Sequence, residues 1–162
     1  PLSAVVGRRD IMSSLSAPAN VYTTAGNPVT AAAALATLDI IEQEQLVLRS
    51  YELGKIAKTF FENAAQRYHF IGDVRMYGLN GGIDIIDNQG QPDTHATNQL
   101  IYRIFELGAI MISLRGNILR FQPPLVIKEE ELTKALAIID QAFSDLEAGK
   151  IVLPQTDSHI GW

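Results

Sequence analysis

The amino-acid sequence predicts an α+β fold in which a small, mostly antiparallel sheet is covered by helices on one face. Two patterns indicate it. Apolar residues recur at helical spacing in four segments, 28–43, 46–67, 95–107 and 128–148. The segments 70–87 and 109–122 instead alternate between apolar and polar residues, as strands do. With 162 residues, of which 47% are apolar and 19% charged, the chain is long enough to bury a sizeable core.

The first quarter of the chain is predicted to hold a strand and a helix. Residues 1–7 form an apolar run that predicts a short buried strand, and we expect its sheet to lie mostly outside this chain. Residues 8–20 form an irregular connection with one helical turn at 10–15. A helix is then predicted over 28–43, capped by Asn27, and its apolar character on almost every side indicates burial.

The middle of the chain changes from helical to alternating periodicity. The helix over 46–67 carries an apolar stripe opposite charged residues. The segment GDVRMYGLNGGIDIID that follows predicts two strands or one bent strand. Its pair Gly81-Gly82 indicates either a β-bulge or a close approach of backbone.

The last third of the chain predicts a helix, a hairpin and a second helix. Thr94 is the expected cap of the helix over 95–107, with Gly108 behind it. The hairpin would pair 109–114 with 118–122. The final helix, 128–148, begins with three glutamates, which suit the positive end of a helix dipole.

Composition excludes several classes of function. A formal net charge of −5 argues against nucleic acid or an anionic membrane surface as the partner, since phosphate is met by basic surfaces. The chain has no cysteine, which excludes a disulfide scaffold, a thiolate metal site and a cysteine nucleophile. The same absence fits a cytoplasmic protein.

The usual catalytic side chains form no motif in this sequence. The three histidines are far apart, and none has a second ligand three or four residues away, so no metal site is predicted. The serines of the 8–20 connection lack the spacing of a nucleophile elbow. All five lysines fall on polar helix faces or at helix ends, where nothing lowers the pKa of the amine for Schiff-base chemistry.

Two features leave a structural and a functional interpretation open. Thr23, Thr24 and Gly26 precede a helix start, where hydroxyls suit a phosphate, but these residues also suit a plain turn. Arg120 stands among apolar residues of a predicted strand, and its planar guanidinium needs a partner. That partner is either a ligand carboxylate or, for an edge strand, a helix glutamate.

Four segments together resemble class III aminotransferases, which are pyridoxal 5′-phosphate enzymes of fold type I. The segments are PLSAVVGRRDIM, YTTAGNPVTAAAALATLDIIE, GDVRMYGLNGGIDI and GNILRFQPPLVIKEEELTKAL, in the order that the family has. The resemblance covers nearly the whole chain. Within the family it is strongest to isoleucine 2-epimerases, through TTAGNP and the closing IGW.

The resemblance implies a C-terminal fragment of such an enzyme. Residues 1–45 would be the end of the large cofactor-binding domain, and 46–162 the C-terminal small domain. The family's phosphate-binding threonine, which reaches the cofactor of the other subunit of a homodimer, maps onto Thr23. Thr24 stands where the family usually has an aromatic residue, and the resemblance implies either a second hydroxyl at the cofactor or a narrower site there. The family's carboxylate-binding arginine maps onto Arg120.

The resemblance also implies what lies elsewhere. The Schiff-base lysine would precede Pro1, so no catalytic residue is expected in this chain, which alone should be inactive. The parent enzyme would act on amino acids, either as a 4-aminobutyrate-type aminotransferase or as a racemase of nonpolar amino acids. The alternative class is a stand-alone α+β interaction domain without catalysis.

Overall fold

The computed structural model describes residues 2–14, 16, 23 and 25–154. It divides the chain into two compact units, Pro1–Leu46 and Val47–Trp162. The first unit contains helices α1 (Arg9–Met12) and α2 (Pro28–Gln43). The N-terminus of α2 is capped as expected, since the Asn27 side chain accepts hydrogen bonds from the backbone N–H groups of Val29 (2.9 Å) and Thr30 (3.4 Å).

Two expectations for the first unit are wrong. Residues 2–7 form no strand and are exposed, because an isolated strand has no neighbour with which to pair its backbone groups. The α2 helix has no buried residue, although its apolar character predicted burial. Its leucines at 35 and 38 are more than half exposed, so the apolar surface predicted from the sequence is present on this helix without burial.

The described part of the second unit contains three helices and four strands. Its elements are α3 (Leu46–Arg67), β1 (Ile71–Tyr77), β2 (Asn80–Ile85), α4 (Thr94–Glu106), β3 (Ile112–Leu114), β4 (Ile118–Phe121) and α5 (Glu129–Glu147). The four strands form one sheet in the order β1-β2-β4-β3, and every neighbouring pair is antiparallel. This confirms the predicted fold class.

The helices cover one face of this sheet, and the core lies between them. Strand residues such as Ile83 and Leu119 are fully buried, and the rings of Phe61 on α3 and Phe121 on β4 meet edge to face at 5.3 Å. The core also takes in the apolar stripes of α4 and α5. The opposite face of the sheet carries Asp73, Arg75, Asp84, Ile118 and Arg120, and we call it the open face.

Local details differ from the sequence expectations in three places. Asp93, not Thr94, caps α4, because its carboxylate accepts the N–H of Ala96 at 2.9 Å. The predicted strand 109–114 shortens to β3. The register shift lies in β1, between Ile71 and Val74, and not at Gly81-Gly82, where an added Cβ atom would first meet the side chains of Met76 and Ile118.

A close approach of two glycines positions α3 against the β1–β2 turn. A Cβ atom on Gly54 would collide with the backbone carbonyl of Gly78, which leaves no room for any side chain. Beside this contact, the hydroxyl of Ser50 accepts the backbone N–H of Leu79 at 3.1 Å. The two glycines therefore set the distance between helix and sheet.

Candidate functional site

Arg120 lies inside the sheet, not at its edge. Its strand, β4, pairs with β2 on one side and β3 on the other, which places Gly82 and Ile112 directly opposite Arg120. The neighbouring residues Leu119 and Phe121 point into the core, so Arg120 points from the open face. The predicted alternation is confirmed, but the edge-strand interpretation is wrong.

The guanidinium of Arg120 has no carboxylate partner among the residues that the structure describes. No ion pair within 4.0 Å and no side-chain hydrogen bond involves it there. The expected alternative, a pair with a helix glutamate, is therefore absent from the described part of the chain. A half-buried guanidinium remains charged and offers five donors, which suits recognition of a planar anion.

A pocket of about 210 Å³ lies beside Arg120, between the start of β3, the end of β4 and α5. Its lining residues are Ala109, Ile110, Met111, Ile112, Arg120, Phe121, Gln122, Pro123, Ala135 and Ile139. The lining of this pocket is thus largely apolar, with Arg120 and Gln122 contributing its polar side chains.

A second arginine on the open face is fully engaged. Arg75 Nη1 donates to Asp73 at 2.6 Å and to Asp84 at 2.9 Å, and its Nη2 also donates to Asp84. These hydrogen bonds, with Asp84 first, raise the pKa of the Arg75 guanidinium above its ordinary value. Sequence reasoning missed this cluster, although the charged residues at alternate positions of GDVRMYG signal an exposed strand face.

The threonine segment is only partly described. Thr23 lies in a turn ahead of α2, and its exposed hydroxyl makes no hydrogen bond with any described residue. Thr24 lies outside the described residues. The first amides of α2 are already taken by Asn27, so a phosphate at this place would rely on hydroxyl donors more than on the end of the helix.

All five lysines are described, and all are exposed. Lys55 donates to Glu52 at 3.0 Å, which raises the pKa of the amine. A lysine that forms a Schiff base needs the opposite shift, toward the neutral amine. The pKa shift of Lys55 is therefore opposite to the shift that this role needs.

The described histidines, His69 and His95, belong to no group of side chains that could hold a metal ion. Nδ1 of His69 lies 3.5 Å from a carboxylate oxygen of Glu147, on the surface, and His159 lies outside the described residues. Within the described ranges, no group of three histidine, aspartate or glutamate side chains is arranged to hold a metal ion.

A buried carboxylate that the sequence analysis missed joins α4 to α5. Asp145 is 4% exposed and accepts hydrogen bonds from Arg103 Nε (2.8 Å) and Gln141 Nε2 (3.0 Å). The Arg103 guanidinium lowers the pKa of this carboxyl below its ordinary value. An aspartate at 145 interrupts the apolar face of α5, and that interruption is the signal by which it could have been found. Its role is to stabilise the fold.

Comparison with known proteins connects this geometry to a family. The family described as "Aminotransferase class-III" matches residues 1–143. Isoleucine 2-epimerase of Lentilactobacillus buchneri is 51% identical over 100% of this chain and 36% of its own length. Alanine/serine racemase of Pyrococcus horikoshii is 43% identical over 93% of this chain and 32% of its own.

A solved structure shares the fold as well. The acetylornithine aminotransferase of Elizabethkingia anophelis superposes with a TM-score of 0.73 at 32% identity, over 84% of this chain and 33% of that one. The chain thus spans about a third of the length of the relatives that it matches. These similarities do not favour a stand-alone interaction domain. In the described part of the chain, no helix is both long and apolar enough to cross a membrane.

Proposed function

Because this chain belongs to the class III aminotransferase family, we propose that it is the C-terminal part of a pyridoxal 5′-phosphate-dependent enzyme that acts on amino acids. In this proposal, residues 1–45 complete a large cofactor-binding domain, and 46–162 form the small domain. The observation that carries the proposal is the unmatched guanidinium of Arg120 on the open face, within the segment that the family matches.

Arg120 binds the substrate carboxylate in this proposal. A guanidinium forms two parallel hydrogen bonds with a carboxylate, which fixes both the position and the orientation of the amino acid. Because β4 is paired on both sides, the backbone that carries Arg120 is held rigidly. Such positioning holds the Cα–H bond at the place where a proton is removed.

The cofactor would be held mainly by residues outside this chain, with Thr23 as the contribution of the described part. Its exposed hydroxyl fits a phosphate oxygen, and Thr24 is proposed as a second donor. Pyridoxal phosphate, when bound, supplies the electron sink that acidifies the Cα–H bond of an amino acid. No lysine here suits the Schiff-base position, so we place that lysine in the part of the enzyme that precedes Pro1.

Epimerisation of a nonpolar amino acid is the activity that we propose first. Apolar residues that line a pocket together with Arg120 are in keeping with a nonpolar substrate. The names of the two relatives at 51% and 43% identity point the same way. Transamination is the second candidate, because the superposed structure is an aminotransferase.

An assay of the full-length enzyme, meaning this chain together with its large domain, separates the two activities. L-Isoleucine is supplied with and without a keto-acid acceptor, and the amino acids are resolved by chiral chromatography. A change of configuration at Cα without the acceptor is the result expected of an epimerase. Strict dependence on the acceptor, with a keto acid as product, would replace the first candidate by the second.

We also propose that the full-length enzyme is a homodimer in the cytoplasm. The uncovered apolar surface of α2 supports an interface there, because soluble monomers seldom leave such surfaces exposed. The absence of cysteine in all 162 residues is in keeping with a reducing compartment.

A further inference from the structure

The open face of the sheet brings a carboxylate within the reach of Arg120. Asp84 on β2 stands directly opposite Ile118 on β4, and Arg120 follows two residues later on the same face. Diagonal neighbours of this kind have Cβ atoms roughly 7–8 Å apart, a distance that an arginine side chain spans. Nevertheless, no ion pair within 4.0 Å joins Asp84 to Arg120.

Arg75 accounts for this absence. Its two terminal nitrogens donate to the two oxygens of Asp84, one at 2.9 Å, in a fork that occupies both carboxylate oxygens. The Asp84 side chain is 25% exposed, so this pair is partly shielded from water. Asp73 also accepts from Arg75 at 2.6 Å, but it lies on the edge strand β1, further from Arg120.

Gly82 provides the room for this arrangement. It is the cross-strand neighbour of both Arg75 and Arg120, and it places no side chain between them. A Cβ atom at this position would lie 3.6 Å from Arg75 Nη2 and 3.1 Å from Cγ2 of Ile118. The Arg75 guanidinium therefore lies close to Gly82 and reaches both oxygens of Asp84 from there.

We propose that Arg75 is a positioning residue that keeps Arg120 available, because it holds Asp84 and so prevents an Asp84–Arg120 ion pair. The inference rests on the proposed function, since it concerns the same carboxylate site. An aspartate released beside Arg120 would compete with the substrate carboxylate at a high effective concentration. Loss of Arg75 therefore weakens substrate binding more than it slows the chemical step.

A purely structural role for Arg75, as a link between β1 and β2, makes different predictions. Loss of such a link would lower the stability of the fold and would affect all substrates alike. A second substitution that removes the Asp84 charge would not restore that stability. The two roles are therefore separated by rescue and by the choice of substrate.

The experiment uses the full-length enzyme and three variants: Arg75→Met, Asp84→Asn and the double variant. KM and kcat are measured with the amino acid and with a corresponding amine that has no carboxylate. Arg75→Met is expected to raise KM for the amino acid by about tenfold, with kcat within about twofold. The double variant is expected to return KM close to the wild-type value. The matched control combines Arg75→Met with Asp73→Asn, and it is expected to keep the raised KM of Arg75→Met.

An unchanged KM in Arg75→Met, or a double variant no better than Arg75→Met, would overturn the inference. If Arg75→Met does not fold, Arg75→Lys replaces it, since lysine keeps the charge but releases one oxygen of Asp84, and the same rescue by Asp84→Asn applies. Arg120→Lys is measured beside these variants. If Arg120→Lys leaves amino-acid binding intact, the proposed function itself fails, whatever the Arg75 series shows.

Discussion

Two arginines lie on the open face of the sheet, and they differ in their partners. Arg75 donates hydrogen bonds to both Asp73 and Asp84. Arg120 has no carboxylate partner among the described residues, and we propose that its donors bind the carboxylate of the substrate.

Substitution of Arg120 by lysine tests that difference in the full-length enzyme. Lysine keeps the charge but loses the planar fork, so KM for the amino acid should rise on the order of tenfold, about 1.4 kcal/mol. An amine without a carboxylate should be unaffected. The measurement is the ratio of kcat/KM for amino acid over amine, mutant against wild type. An unchanged ratio would make Arg120 a structural residue.

Thr23 is the second residue whose role can be measured directly. Thr23→Ala in the full-length enzyme should weaken retention of pyridoxal phosphate by about 1.5–3 kcal/mol, the value of a hydrogen bond to a charged group. The cofactor dissociation constant is measured by equilibrium dialysis. Thr37→Ala, which removes an exposed hydroxyl from α2, is the control and should change nothing. Equal constants for both variants would indicate that the Thr23 segment is only a turn.

At the scale of elements, two contacts hold the helices in place, one between α3 and the β1–β2 turn and one between α4 and α5. The α3 helix approaches the β1–β2 turn through Gly54 and Gly78, with no space for a methyl group between them. The α4 and α5 helices are joined by the buried Asp145 and its partner Arg103. Neither contact involves Arg120, so loss of either contact should lower the stability of the fold more than it changes substrate binding.

Replacement of Gly54 by alanine should destabilise the fold although alanine favours helices. The new Cβ would meet a backbone oxygen, which cannot rotate away, and overpacking of this kind costs about 1–3 kcal/mol. Chemical denaturation measures the change. Thr59→Ala, at an exposed position of the same helix, is the control and should be neutral or slightly stabilising. A Gly54→Ala protein as stable as the wild type would contradict the described packing.

The Asp145 carboxylate should make stability depend on pH at the acidic end. Because its pKa is lowered in the folded state, its contribution is complete above the unfolded value of about 3.9 and is lost as pH falls through the folded pKa. At neutral pH, Asp145→Asn should lower the free energy of unfolding by about 1–2 kcal/mol.

Denaturation of both proteins between pH 7 and pH 2 measures this difference, which should shrink below about pH 4. Asp140→Asn removes an exposed partner of Arg67 and serves as the control, with a small effect at every pH. A difference between Asp145→Asn and wild type that is constant with pH would show that the charge of Asp145 does not stabilise the fold.

The sequence predicted the sheet, its helices and the strand face on which Arg120 lies, because each of these depends on local periodicity. Alternation alone placed Leu119 and Phe121 in the core and Arg120 opposite them. The edge position was wrong because strand order depends on which hairpins pair, and periodicity does not encode that choice. The Arg75–Asp84 pair was missed for the same reason, since it requires the register of β1 on β2.

Burial in the first unit was predicted wrongly for a different physical reason. The apolar character of residues 1–7 and of α2 is a property of the sequence, but burial requires a second surface. The described part of this unit provides none for α2, and residues 2–7 have no neighbouring strand. The helix itself was predicted correctly, since Asn27 and Pro28 mark its start locally.

At the scale of the whole molecule, we propose that the chain supplies a carboxylate site and that the lysine of the Schiff base lies in another part of the enzyme. The chain spans about a third of the relatives that it matches, and its five lysines are all exposed. We therefore propose that the two parts of the enzyme have separate roles. This chain positions the substrate and contributes to the phosphate site, while the remaining part supplies the cofactor lysine.

The most direct test compares the 162-residue chain alone with the same chain joined to the part of the L. buchneri isoleucine 2-epimerase that it does not match. Both are supplied with pyridoxal phosphate and L-isoleucine, and inversion at Cα is followed by chiral chromatography. The joined protein should epimerise the substrate, and the chain alone should show no turnover above the cofactor in buffer. Robust turnover by the chain alone would contradict the account, because it would require a catalytic base among the residues that we assign only to binding.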